Sequence, residues 1–98
     1  MRNMQDVTQE MKFLYLKRRT AELIECQVAL KSKNFTYLEK IGHQVKGNAV
    51  SFGFGRFLPM ALALEGAAQA KDTRRIEFIL KHLNATVMDV VKRFEQLS

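Results

Sequence analysis

Apolar residues recur along this chain at steps of three and four, the spacing that collects side chains on one face of an α-helix. The first such segment runs from about Val7 to Leu30, with Leu16, Leu23, Ile24 and Leu30 on one side and Arg18, Glu22 and Glu25 on the other. Polar Lys31-Ser32-Lys33-Asn34 ends it, and Asn34 has the short acceptor side chain of an N-cap. A second segment, Phe35 to about Phe52, carries Leu38, Ile41, Val45, Ala49 and Phe52 before Gly53-Phe54-Gly55 interrupts it. A third begins near Arg56, where Pro59 is tolerated because it falls in the first turn. Phe57, Ala61, Leu64 and Ala68 form its inner face, Ala70-Lys71 ends it, and Asp72 caps a fourth. There Ile76, Ile79, Leu80, Leu83, Val87, Val90, Phe94 and Leu97 make the longest apolar stripe in the chain. No stretch alternates with period two long enough to predict a strand. Four amphipathic helices joined by short loops predict an all-α, antiparallel up-down four-helix bundle, with residues 1–98 as one domain.

The second helix has a further pattern. Ile41, Val45, Ala49 and Phe52 face the predicted core, whereas His43, Lys46, Gly47 and Val50 follow i, i+3, i+4, i+7 on a different face. An imidazole, an ammonium and a position with no side chain therefore gather near solvent. Neutral imidazole is a nucleophile near physiological pH. A lysine one turn away holds phosphoryl oxygens as a point charge. A glycine inside a helix costs about 1 kcal/mol relative to alanine; beside His43 it removes bulk and lets another protein's loop approach. Spacing alone leaves the plainer reading open, in which His43 is a surface histidine and Gly47 eases helix packing.

Composition narrows the partners and the compartment. Sixteen Lys plus Arg against ten Asp plus Glu give a net charge of +6, which permits an acidic protein or a nucleic acid as partner. Lys17-Arg18-Arg19, Lys31 with Lys33, Arg74-Arg75 and Lys92-Arg93 are spread out and interleaved with acids, so solvated helix faces are expected rather than a nucleic-acid patch. A single cysteine, Cys26, excludes an internal disulfide framework and fits a reducing compartment. No run reaches the ~18 apolar residues of a membrane span, and Met1-Arg2-Asn3-Met4-Gln5-Asp6 is followed by no apolar stretch of a secretory signal. The expectation is a cytoplasmic, membrane-free monomer.

With that face identified, His43-Gln44-Val45-Lys46-Gly47-Asn48-Ala49-Val50-Ser51-Phe52-Gly53-Phe54 resembles the motif of the histidine-containing phosphotransfer domain, free-standing type. That motif reads His, any residue, a hydrophobic residue, Lys, Gly, a small residue, and after four more positions Gly and an aromatic or hydrophobic residue. The similarity continues through Phe57, Leu64-Glu65-Gly66-Ala67-Ala68 and Lys71-Asp72, and upstream through Tyr15-Leu16-Lys17-Arg18-Arg19, Asn34-Phe35 and Leu38. It spans roughly Leu14 to Leu83. The resemblance implies a four-helix phosphoryl carrier in a two-component phosphorelay. His43 would accept the group and exchange it with an aspartate of a response-regulator receiver domain. A hybrid sensor kinase or another phosphodonor would load it. Lys46 would stabilise the phosphate, Gly47 give docking clearance, Glu65 orient the imidazole, and Val50 and Phe54 belong to the docking surface. The carrier would have no cofactor of its own; Mg²⁺ would belong to the receiver. Ala49 and Val50 stand where small or polar residues are frequent in the family, and the surface is basic where many members are acidic; both bear on partner identity.

Other signals reduce to structure. Gly42 through Asn48 spaces like a phosphate-binding loop but lacks Lys-Ser/Thr after the second glycine and reads as helix. Gly53-Phe54-Gly55 is too short for a nucleotide loop, so no ATP site is visible. Cys26, His43 and His82 are too few and scattered for a metal site, and His82 lies off the fourth helix's stripe. Asn34-Phe35-Thr36 and Asn84-Ala85-Thr86 match the glycosylation pattern by sequence only. The five Met and seven Phe residues are expected mostly on core positions. The other function class compatible with the chain is a non-catalytic basic helical interaction module; it has no need of Lys46-Gly47 beside His43.

Overall fold

Thr8 opens the first helix by accepting the Met11 N–H at 3.1 Å. This helix, α1, spans Gln9–Lys31 in the computed structural model, which describes residues 7–97; Met1 to Asp6 and the side chain of Leu97 lie outside the described residues. It is followed by α2 (Phe35–Asn48), a 3-10 turn (Gly55–Phe57), α3 (Leu58–Gln69) and α4 (Thr73–Leu97), with no strand among the described residues.

Two of the connections are three residues long, and the same device closes both. Lys33 (φ 58°) takes the left-handed conformation, so that the Asn34 N–H reaches Ala29 O at 2.7 Å and the Lys33 N–H reaches Leu30 O at 3.1 Å. Asn34 then accepts the Tyr37 N–H at 3.1 Å and starts α2. Lys71 (φ 55°) repeats the turn, with the Asp72 N–H on Ala67 O at 3.0 Å and Asp72 Oδ1 accepting the Arg75 N–H at 3.1 Å. One residue thus closes a helix through its amide and opens the next through its side chain.

The end of α2 falls short of the predicted Phe52. Regular helix stops at Asn48, and the chain turns through Gly53 (φ 87°), where the Phe54 N–H returns to Ala49 O at 2.8 Å. The turn brings aromatic rings together: Phe52 and Phe54 stack on Tyr15 at centroid distances of 4.5 and 5.6 Å, and Phe54 also meets Phe57 and Phe94 at 5.4 and 5.9 Å. Pro59 sits in the first turn of α3, as predicted.

Helix α1 packs on α2 and α4, and α3 packs on the same two, so the four enclose a single core. Its fully buried members include Leu16, Cys26, Leu38, Phe57, Leu64, Ile76, Leu80 and Val87. Two expectations are corrected, and the Met and Phe residues mostly join the core as expected. Ile24 is 66 % exposed, because Tyr15, Leu16, Leu23, Cys26 and Ala29 set the inner face of α1 and Ile24 points away from it. Arg19 is buried rather than solvated; its guanidinium pairs with Glu22 at 2.8 Å and lies over the Tyr15 ring at 4.5 Å. Met11, Phe78 and Met88 are exposed, whereas Phe54 and Phe57 are core and Phe35, Phe52, Met60 and Phe94 pack against it.

Candidate functional site

Helix α2 turns Leu38, Ile41, Gly42 and Val45 inward and leaves His43 and Gln44 to solvent, so His43 is carried at mid-helix with its side chain 68 % exposed. Opposite it, α3 buries Ala61, Leu64 and Ala68 and directs Glu65 toward α2. His43 Nδ1 lies 3.0 Å from Glu65 Oε2, and Lys46 donates from Nζ to Glu65 Oε1 at 2.9 Å. The Glu65 side chain is 15 % exposed.

Its charge state follows from those partners. The Lys46 hydrogen bond, and after it the His43 hydrogen bond, hold the Glu65 carboxyl below its ordinary value of 4.5, so it is ionised at neutral pH. A carboxylate accepts, so the facing Nδ1 carries the proton and Nε2, on the opposite edge of the ring, keeps the lone pair. With Nδ1 as the donor, the geometry also sets the direction in which the other ring nitrogen, Nε2, is presented.

Gly42 makes this approach possible. A Cβ there would stand 2.8 Å from Glu65 N, 3.0 Å from Ala61 O and 3.1 Å from Glu65 Cα, all backbone atoms of α3. Sequence reasoning singled out Gly47 and missed Gly42, although both are helical glycines that need a cause. At Gly47 a Cβ would meet nothing within 4 Å, so the surface there is open. A second omission is Asn48, whose Oδ1 accepts the Tyr15 hydroxyl at 2.6 Å and ties the end of α2 to α1.

The remaining predicted positions divide. Val50 is exposed, in the turn just beyond the end of α2. Phe54, expected at the edge of a docking surface, is only 5 % exposed, because the turn at Gly53 folds its ring into the aromatic cluster. Lys46, expected to be available to a phosphate, is engaged with Glu65. His82 is exposed and meets the edge of Phe78 at 4.3 Å. Cys26 is buried, and burial, followed by the nearby Glu22 and Glu25, pushes its thiol up to about 12. Among the described residues no group of three or more His, Cys, Asp and Glu could hold a metal ion, and no helix is long and apolar enough to cross a membrane. Comparison with protein-family models, with curated proteins and with solved structures finds no match to this chain.

Proposed function

We propose that the protein is a histidine phosphotransfer carrier, an up-down bundle of antiparallel helices that takes a phosphoryl group on His43 and exchanges it with an aspartate of a receiver domain. The observation that carries this reading is the exposed His43 ring whose Nδ1 is held 3.0 Å from Glu65, leaving Nε2 without a protein partner, with open space one helical turn on at Gly47.

The chemistry follows from that arrangement. The Nε2 lone pair attacks phosphorus and an N–P bond forms. The P–O bond to the donor aspartate breaks, and its electron pair leaves on the aspartate carboxylate. Nδ1 keeps its proton, and the positive charge that develops on the ring faces the Glu65 carboxylate. Lys46 holds that carboxylate in place. In the reverse direction an aspartate oxygen attacks, and the N–P electron pair returns to Nε2. Mg²⁺ and the acidic pocket belong to the receiver, so the chain acts as a carrier and not as a kinase; a cytoplasmic monomer loaded by a hybrid sensor kinase suits that role.

The test is transfer from a phosphorylated receiver domain. Acid-labile, base-stable label is expected on the wild type and none on His43→Gln. Lys46→Ala is expected to slow transfer several-fold to about tenfold, since screened surface pairs are worth ~0.2–1 kcal/mol and a charge-assisted bond somewhat more. Equal label on His43→Gln would leave the basic interaction module as the better reading.

A further inference from the structure

On the side of His43 away from Gly47, an open groove of about 350 Å³ is lined by Thr36, Glu39, Lys40, His43, Gln44 and Glu65. Thr36, Lys40, His43 and Gln44 follow i, i+4, i+7, i+8 along one face of α2, and Glu65 of α3 forms the facing wall. Both acids in this groove already accept hydrogen bonds, Glu39 from a neutral amide that leaves its charge in place. Glu39 accepts from Gln69 Nε2 at 2.9 Å, and Glu65 accepts from His43 and Lys46. What remains for a ligand is one ammonium, one hydroxyl and one side-chain amide, all able to donate.

We propose that Lys40, rather than Lys46, is the cation that holds the phosphoryl group once it is on His43, with the α2 wall of this groove, Thr36, Lys40 and Gln44, as its seat. This rests on the carrier reading of His43. With Nδ1 turned to Glu65, Nε2 and anything bonded to it lie on the opposite edge of the ring from Glu65 and the Lys46 ammonium that Glu65 holds. Lys40 stands three residues before His43, where helix geometry places Cβ atoms about 5–6 Å apart, and its four-carbon stem spans the remaining distance. Of the charged groups around the ring, Glu39, Lys40 and Lys46 on α2 and Glu65 on α3, only Lys40 has no ion pair or hydrogen bond among the described residues. A dianionic phosphoryl group therefore meets an unneutralised ammonium at Lys40, whereas recruiting Lys46 would strip Glu65 of a partner.

The experiment uses phosphoramidate, a small donor that needs no protein partner. Nε2 attacks its phosphorus, the N–P bond to His43 forms, and ammonia leaves with the electron pair of the bond it loses. The phosphorus-31 signal of the phosphohistidine is then titrated in the intact protein. A nearby ammonium favours the dianion, so Lys40→Gln is expected to raise the titration midpoint by roughly half a pH unit, the size of a solvent-screened ion pair. Lys40→Arg should restore it, Lys46→Gln should move it less, and added salt should shrink the difference. A phosphohistidine that forms on His43 but titrates identically in wild type and Lys40→Gln overturns the role of Lys40 and leaves the carrier reading intact. A larger movement in Lys46→Gln overturns it too. Failure of the wild type to take label on His43 overturns the carrier reading and this inference with it.

Discussion

Gly42→Ala and Gly47→Ala make the same chemical change in one helix, yet the structure gives them different effects on stability. At Gly47 the new methyl meets nothing within 4 Å, so the variant simply recovers the helix-propensity penalty of glycine, about 1 kcal/mol. At Gly42 the methyl would stand 2.8 Å from Glu65 N, and ordinary contact begins at 3.4 Å, so α3 must retreat by about 0.6 Å. Neither backbone can rotate away as a side chain would. Overpacking of this kind costs ~1–3 kcal/mol, against which the same ~1 kcal/mol propensity gain is set. Gly42→Ala should therefore be neutral to about 2 kcal/mol destabilising. The difference between the two variants isolates the clash. For a domain of this size, 1 kcal/mol moves Tm by about 4–8 °C, so thermal unfolding followed by circular dichroism should separate the variants by at least ~4 °C, with Gly47→Ala above wild type. The retreat of α3 should also lengthen the 3.0 Å His43–Glu65 hydrogen bond and shift the His43 Nδ1–H resonance. Equal gains in Tm from both substitutions would refute the close-packing account of Gly42.

Three further outcomes are expected. Because the Glu65 carboxyl is held below its ordinary 4.5 in the folded protein, its contribution to stability is fully present above that value and is lost as pH falls through the lowered one. The urea midpoint of Glu65→Gln should lie below wild type at pH 7, and the two should converge on acidification; a gap independent of pH contradicts this. Cys26 is buried with its thiol pushed up to about 12, so a thiol reagent should modify it only after unfolding, and rapid stoichiometric reaction of the native protein would contradict its burial. Lys71 holds a left-handed conformation that costs a non-glycine residue ~1–2 kcal/mol, so Lys71→Gly should raise Tm by several degrees; a fall would show that the lysine makes a compensating contact.

The helices were legible where one physical signal dominated. Asn34 and Asp72 announce helix starts because a short acceptor side chain before an apolar period has few other uses, and the stripe from Ile76 to Val90 admits one inner face. The end of α2 was not legible, because Ala49 to Phe52 keep helical spacing while Gly53 permits a turn that the aromatic cluster then exploits. Adjacent apolar residues at Leu23 and Ile24 could not be ranked from one helix alone; the neighbours across the core decide which turns inward. At the site, His43, Lys46 and Gly47 could be grouped by spacing within α2. Glu65 came from resemblance, since its placement depends on how α2 and α3 meet. Gly42, which governs that meeting, is silent in a one-helix projection because its role is defined by the backbone of α3.

The central claim is that His43 carries a phosphoryl group on Nε2, with Nδ1 reserved for Glu65. The most direct test is nitrogen-15 and phosphorus-31 NMR of the protein labelled at its histidines and treated with phosphoramidate. The account predicts a single phosphohistidine, at His43, bonded through Nε2, with Nδ1 still protonated. Phosphorylation at Nδ1, or label that persists in His43→Gln, would contradict it.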